Sequence, residues 1–166
     1  RDTLRALLRE GKNREVMATA LQLLASVNSP SGQAELADFL NILIAGEEPH
    51  PLLGQLYYLR SQLALERGET ATAEEDAKLL LEQCPGLNKI TNVYRLLAYA
   101  ALQKEPPQYR AAADFLIQMR DLSEVMADRQ MINQLIGDCY FLNGDYRNAV
   151  DFYQSARGES KDPDRD

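Results

Sequence analysis

Two stretches of this chain carry the same pattern, and that pattern allows few folds. Asn143-Gly-Asp-Tyr-Arg-Asn-Ala149 reads as a tight turn joining two helices. Gly137 and Tyr140 precede it, and Ala149, Tyr153 and Ala156 follow it. Small residues stand where two helices must approach closely, and aromatics where the space between them must be filled. Gly68 lies 76 residues before Gly144. Superposing the two glycines places Ala73 over Ala149, Ala77 over Tyr153 and Leu80 over Ala156, with Pro85 near the end of the earlier unit. A middle unit fits between them: a helix over 88–103 with Val93, Tyr94, Leu97, Ala98 and Ala101, then a helix over 108–121 with Tyr109, Ala112, Ala113, Leu116 and Met119. Its turn is Lys104-Glu-Pro-Pro107, where proline suits the first turn of the second helix because its missing N–H is no loss there. The repeat length of about 38 residues points to stacked helical hairpins, with helices over 52–67, 70–83, 128–143 and 146–157 completing the set.

The front of the chain is less regular. Residues 3–10 place Leu4, Leu7 and Leu8 on one helical face and stop at Gly11, which sits like the turn glycine of a degenerate repeat. A helix over 13–26 has Val16, Ala20, Leu23 and Leu24 as its apolar stripe. Asn28-Ser-Pro-Ser-Gly32 reads as a breaker, followed by a helix over 33–45 with no pairing partner of its own. Gly46-Glu-Glu-Pro-His-Pro51 reads as a rigid exposed linker. Residues 1–46 thus form a degenerate repeat or a cap, and 158–166, charged and without apolar residues, are expected to be a disordered tail.

Residues 54–87, about 90–122 and 130–163, which fill the region 52–157, resemble tetratricopeptide repeats. The resemblance rests on Gly137, Tyr140, Gly144, Tyr146, Ala149, Tyr153 and Ala156, and more weakly on Tyr57, Gly68, Ala73, Ala77, Leu80 and Pro85. Asn133 replaces the opening tryptophan-like residue and Ser61 replaces a glycine. It implies an all-α fold: a right-handed α-solenoid of antiparallel helix pairs, about nine helices, whose first helices line a concave groove that holds a protein or peptide partner. The groove-facing positions are then Gln55, Tyr58 and Gln62, next Asn92, Arg95 and Tyr99, and last Gln134, Asp138 and Phe141. The family's Lys/Asn grip on a terminal carboxylate is not reproduced, since Tyr58 and Gln62, then Asn92 and Arg95, stand at the corresponding positions. By family analogy, repeat proteins of this style, which suggests a bacterial source, serve envelope machines such as exopolysaccharide synthesis and export complexes or secretion systems. The domain would then be cytoplasmic or on the cytoplasmic face of a membrane complex.

Other function classes find little support. The net charge of −7 repels a phosphate backbone, so nucleic acid is a poor partner. The acid is concentrated in residues 47–86, with eight acidic groups against three basic, and in 128–166, with eight against five. These stretches are solvated faces or landing sites for a basic partner. The lone histidine, His50, reads as a solvated linker residue. No catalytic set, phosphate loop or metal-ligand spacing occurs, so no enzyme activity, cofactor or metal is expected. Glu74 and Glu75 suit a helix N-terminus. Cys84 and Cys139 read as buried thiols, a disulfide being the alternative. No signal peptide or membrane span is visible, and a chain beginning at Arg1 reads as a piece of a longer protein. The expectation is a non-catalytic scaffold, with homo-oligomerisation through the repeat ends as the alternative.

Overall fold

A computed structural model describes residues 1–26, 29–84, 86 and 90–158. Among them are nine α-helices and no strand: α1 (Asp2–Glu10), α2 (Arg14–Ala25), α3 (Pro30–Ile44), α4 (Leu53–Glu66), α5 (Thr70–Gln83), α6 (Ile90–Leu102), α7 (Tyr109–Leu122), α8 (Met126–Leu142) and α9 (Tyr146–Ala156). The expected tail, the repeat-ending Pro85 and the expected helix start at Asn88 lie outside the described residues.

The glycine turns take the form their sequence demands. Gly68 and Gly144 have φ of +75° and +85°, the left-handed region that costs other residues strain. Around the first, the N–H of Gly68 donates to Leu65 O and that of Glu69 to Ala64 O. Around the second, Gly144 donates to Phe141 O and Asp145 to Tyr140 O. These are two copies of the Schellman turn, which satisfies carbonyls left open at a helix end. The α6–α7 connection, without a glycine, is closed by the N–H of Gln108 donating to Ala101 O at 2.9 Å.

Within each hairpin the helices meet through small residues. Ser61, Ala98 and Gly137 are buried on α4, α6 and α8, and Ala73, Ala112 and Ala149 are buried on α5, α7 and α9. Ser61 Oγ donates to Ala73 O at 2.8 Å, so its hydroxyl is satisfied. Gly137 has no room at all: a Cβ there would lie 2.6 Å from Cε1 of Tyr153. Tyr140 stacks on Phe152, with centroids 5.3 Å apart.

Adjacent helices pack in contact, α4 on α5, α5 on α6, α6 on α7, α7 on α8 and α8 on α9, and α4 also touches α6. The buried apolar residues form a front cluster from α1–α4, a middle one around Ala77, Leu80, Val93 and Leu97, and a rear one from α6–α9. Ion pairs tie neighbours together. Both carboxylate oxygens of buried Asp76 accept from Arg60 at 2.7 Å, and Arg60 also donates to Asn41 Oδ1, joining α3, α4 and α5. Lys104 in the α6–α7 connection lies 2.8 Å from Glu74, and with Lys78 it holds the Glu74 carboxyl below the usual carboxylate range. Glu74 therefore works as an inter-helix tether rather than only as a helix-end charge.

The front of the chain departs from the sequence reading at five places. The Ser-Pro cluster starts α3 instead of breaking the chain: Ser29 Oγ accepts from Gly32 N and Pro30 occupies the first turn. Gly11 has φ −64° and ψ 144°, extended backbone rather than a left-handed turn. On α2 the buried stripe is Met17, Ala20, Leu21 and Leu24, while Val16 and Leu23 are 44% and 55% exposed. The helix is apolar on two faces, and α3 and α4 cover only one. His50 is half-buried, not solvated: its Nε2 lies 2.7 Å from Leu8 O and its Nδ1 accepts from Leu52 N at 3.0 Å. With Nδ1 accepting, Nε2 carries the proton and donates to Leu8 O. Helix α3 does find partners, packing on α4 and receiving the Arg5 and Arg9 guanidiniums over the Phe39 ring at 5.3 and 5.2 Å.

Two outcomes follow for stability, both measured by urea unfolding. Gly137→Ala forces a Cβ into the Tyr153 ring and should cost about 1–3 kcal/mol, and combining it with Tyr153→Ala should cost less than the sum of the two changes. Arg60→Met strands the Asp76 carboxylate and should cost about 3 kcal/mol or more, whereas Arg60→Met with Asp76→Leu should recover most of that loss.

Candidate functional site

The first helix of each hairpin turns one side away from its partner, and the nine residues expected at a groove fall mostly on those sides. On α4, Gln55 and Tyr58 are half-buried and Gln62 is exposed; on α6, Asn92 is half-buried while Arg95 and Tyr99 are exposed. On α8, Gln134 and Phe141 are exposed and Asp138 is half-buried.

The structure brings two of them together, with a third acting on one of them through its charge. Gln55 and Tyr58 line a cleft of about 710 Å³ that opens between α2, α4 and the end of α5. Arg95 of α6 lies close enough to act electrostatically on Tyr58. Burial raises the Tyr58 hydroxyl above its ordinary value, and the Arg95 charge opposes that rise. The floor of the cleft is apolar, from Leu21, Leu53 and Leu59, and its rim carries Arg14, Gln22 and Gln83. His50 forms part of the wall.

Two of the nine are engaged elsewhere. The Tyr153 hydroxyl donates to Asp138 Oδ1 at 2.6 Å, so this carboxylate ties α8 to α9 and is not an open groove group. That hydrogen bond, with burial second, pushes the Tyr153 hydroxyl up to about 12. Phe141 packs edge-on against Tyr146, with centroids 5.3 Å apart, beside the α8–α9 turn.

The sequence reading missed residues on both ends of this surface. Met131, Leu135 and Leu142 are 56%, 39% and 59% exposed, and their 4- and 7-residue spacings put them on one side of α8 along with Asp138. That spacing was a usable signal. Arg14, Gln22 and Gln83 came from helix faces with no groove register, and their convergence at the cleft carried no local signal. Cys84, expected buried, is half-buried at the cleft, and both thiols are free. Burial, with Asp138 next, pushes the Cys139 thiol up to about 11.

Among the described residues no group of three or more His, Cys, Asp or Glu is placed to hold a metal ion. No described helix is long and apolar enough to cross a membrane. No protein-family model matches this chain, and comparison with curated proteins and with solved structures finds no match.

The Tyr153–Asp138 contact has a readable pH signature. The tyrosine donates only while protonated, so its stabilisation is full below pH 10.0, its ordinary value, and is lost as pH rises through about 12. In an absorbance titration of the phenolates, Asp138→Asn should move the last-titrating tyrosine down from about 12 toward 10.0. An unchanged upper limb would show that Asp138 does not govern it.

Proposed function

We propose that this chain is a non-catalytic scaffold that holds a segment of another polypeptide on the outward sides of α4, α6 and α8. The observation that carries the reading is the clustering of Gln55, Tyr58 and Arg95 beside an apolar cleft, on helices already fixed by their hairpins. Half-exposed tyrosines with an arginine nearby are the side chains that anchor protein interfaces. Amide groups beside them suit the hydrogen bonding of a peptide backbone.

The tetratricopeptide-like arrangement belongs to the same proposal, right-handed superhelix included. It is supported by two matching Schellman turns at Gly68 and Gly144 and by small buried residues at the same place in three successive hairpins. In such an arrangement α4, α6 and α8 are the first helices and share the inner surface.

Self-association is a second reading, favoured by one feature. Leu4, Leu7, Val16, Ala20 and Leu23 line an apolar groove of about 360 Å³ between α1 and α2, with Val16 and Leu23 largely in solvent. Light scattering over a dilution series distinguishes the two, and a monomer at every concentration removes the second.

The test of the first reading is a triple substitution, Tyr58→Ser, Arg95→Ser and Tyr99→Ser. Arg95 and Tyr99 are exposed and Tyr58 lies half-buried at the cleft, so helicity and the melting temperature should change little. Capture of partner polypeptide should fall about 10-fold or more, as expected for loss of anchoring residues. Undiminished capture by a fully folded triple variant would exclude this face.

A further inference from the structure

The cleft between α2, α4 and the end of α5 differs from the rest of the surface in charge. The chain carries 25 acidic and 18 basic side chains, yet among the described residues no carboxylate lines this cleft. Among the described residues, its one charged lining residue is Arg14. Arg95 adds a second cation beyond Tyr58, near enough for its charge to be felt at that hydroxyl. Among the described residues, neither Arg14 nor Arg95 has a carboxylate within salt-bridge distance. Other arginines are engaged, Arg60 with Asp76, Arg120 with Asp121 and Asn133, and Arg67 with Glu69, while Arg110, Arg129, Arg147 and Arg157, away from this cleft, likewise have no carboxylate within that distance among the described residues.

Size and lining narrow the occupant further. A space of about 710 Å³ is in the range of small-ligand sites. A volume of that size holds a few side chains of an extended segment. Gln22, Gln55 and Gln83 reach the cleft from three different helices, and none has a hydrogen-bond partner among the described residues. Three open amides offer donors and acceptors in the spread that an extended backbone presents. A polyanion such as nucleic acid would meet the net charge of −7 beyond the cleft, whereas a short segment with a single carboxylate meets only the local cations.

We infer that this cleft is the docking site for an extended acidic peptide segment, whose apolar side chain rests on Leu21, Leu53 and Leu59 and whose carboxylate pairs with Arg14, with the Arg95 charge beyond Tyr58 adding to the attraction. The inference rests on the scaffold reading and specifies its ligand. It also assigns to α2, outside the repeats, one wall of the site. Arg14 holds the acid, the amides hold the backbone, and the leucines select an apolar neighbour.

The test is panning of a random nonapeptide display library on the immobilised full chain, followed by anisotropy titration of the enriched peptides. Enriched sequences should carry Asp or Glu next to an aliphatic residue. Their affinity should fall about 10-fold to 100-fold for Arg14→Glu with Arg95→Glu, the loss expected when charge-assisted hydrogen bonds are removed. Arg14→Gln with Arg95→Gln should give a smaller loss in the same direction, and equal melting temperatures exclude misfolding as the cause. Enrichment of basic or neutral peptides, or displacement by N-acetylglutamate at equal concentration, would overturn the assignment. Peptides that bind the charge-reversed variant equally well but fail on Leu135→Ser with Tyr99→Ser would overturn the cleft and leave the scaffold reading intact. No enriched peptide at all would overturn both.

Discussion

Helix pairs in this chain stand at a separation that only small side chains permit, and the tightest point is where the Tyr153 ring lies against the bare α-carbon of Gly137. Close approach at that point fixes the angle and register of α8 against α9, and it lets the Tyr153 hydroxyl reach Asp138. Ser61 and Ala98 serve the same purpose in the other two hairpins, with an added hydrogen bond at Ser61. Because small residues occupy the closest contacts inside each pair, aromatics can fill the space beside them in α8–α9, and leucines and valines serve the contacts between pairs. Leu80, Val93 and Leu97 do this between α5 and α6. Each hairpin is therefore closed by small residues and joined to the next by large ones, a division that leaves the first helices with a free side.

How much of this was legible depends on how local the cause is. The glycine turns were readable because a left-handed φ at Gly68 or Gly144 is dictated by one residue and its flanks. The expected span 70–83 matches α5, and the other helices of the rear two-thirds lie within two residues of the sequence reading. In the front third the causes are not local. Ser29-Pro30 can end one helix or begin another, and the N–H of Gly32 donating to Ser29 Oγ decides for a beginning. Met17 and Val16 are both apolar, and only the position of α3 and α4 selects which is buried. His50 looked solvated because its partner, the Leu8 carbonyl, lies 42 residues away.

The candidate site divides the same way. Repeat register alone put Gln55, Tyr58, Arg95 and Tyr99 on the outward sides of α4 and α6. It also put Asp138 there, and for that residue a long side chain from the neighbouring helix overrides register. Arg14 and Gln22 could not be found by register, since α2 has none in common with the repeats. Their place at the cleft follows from how α2 packs, which depends in turn on the Met17, Leu21 and Leu24 contacts of the front cluster.

The His50 imidazole has a consequence beyond the two hydrogen bonds it makes. It belongs to the wall of the cleft, and it clamps the last turn of α1 to the first turn of α4. The start of α4, which borders the cleft, is therefore tied to α1 by the fold itself. Under the proposed docking, an entering segment would give up translational, rotational and conformational freedom, while this part of the wall is already hydrogen-bonded in place. A histidine held at both ring nitrogens is then one lining residue with no ordering left to lose.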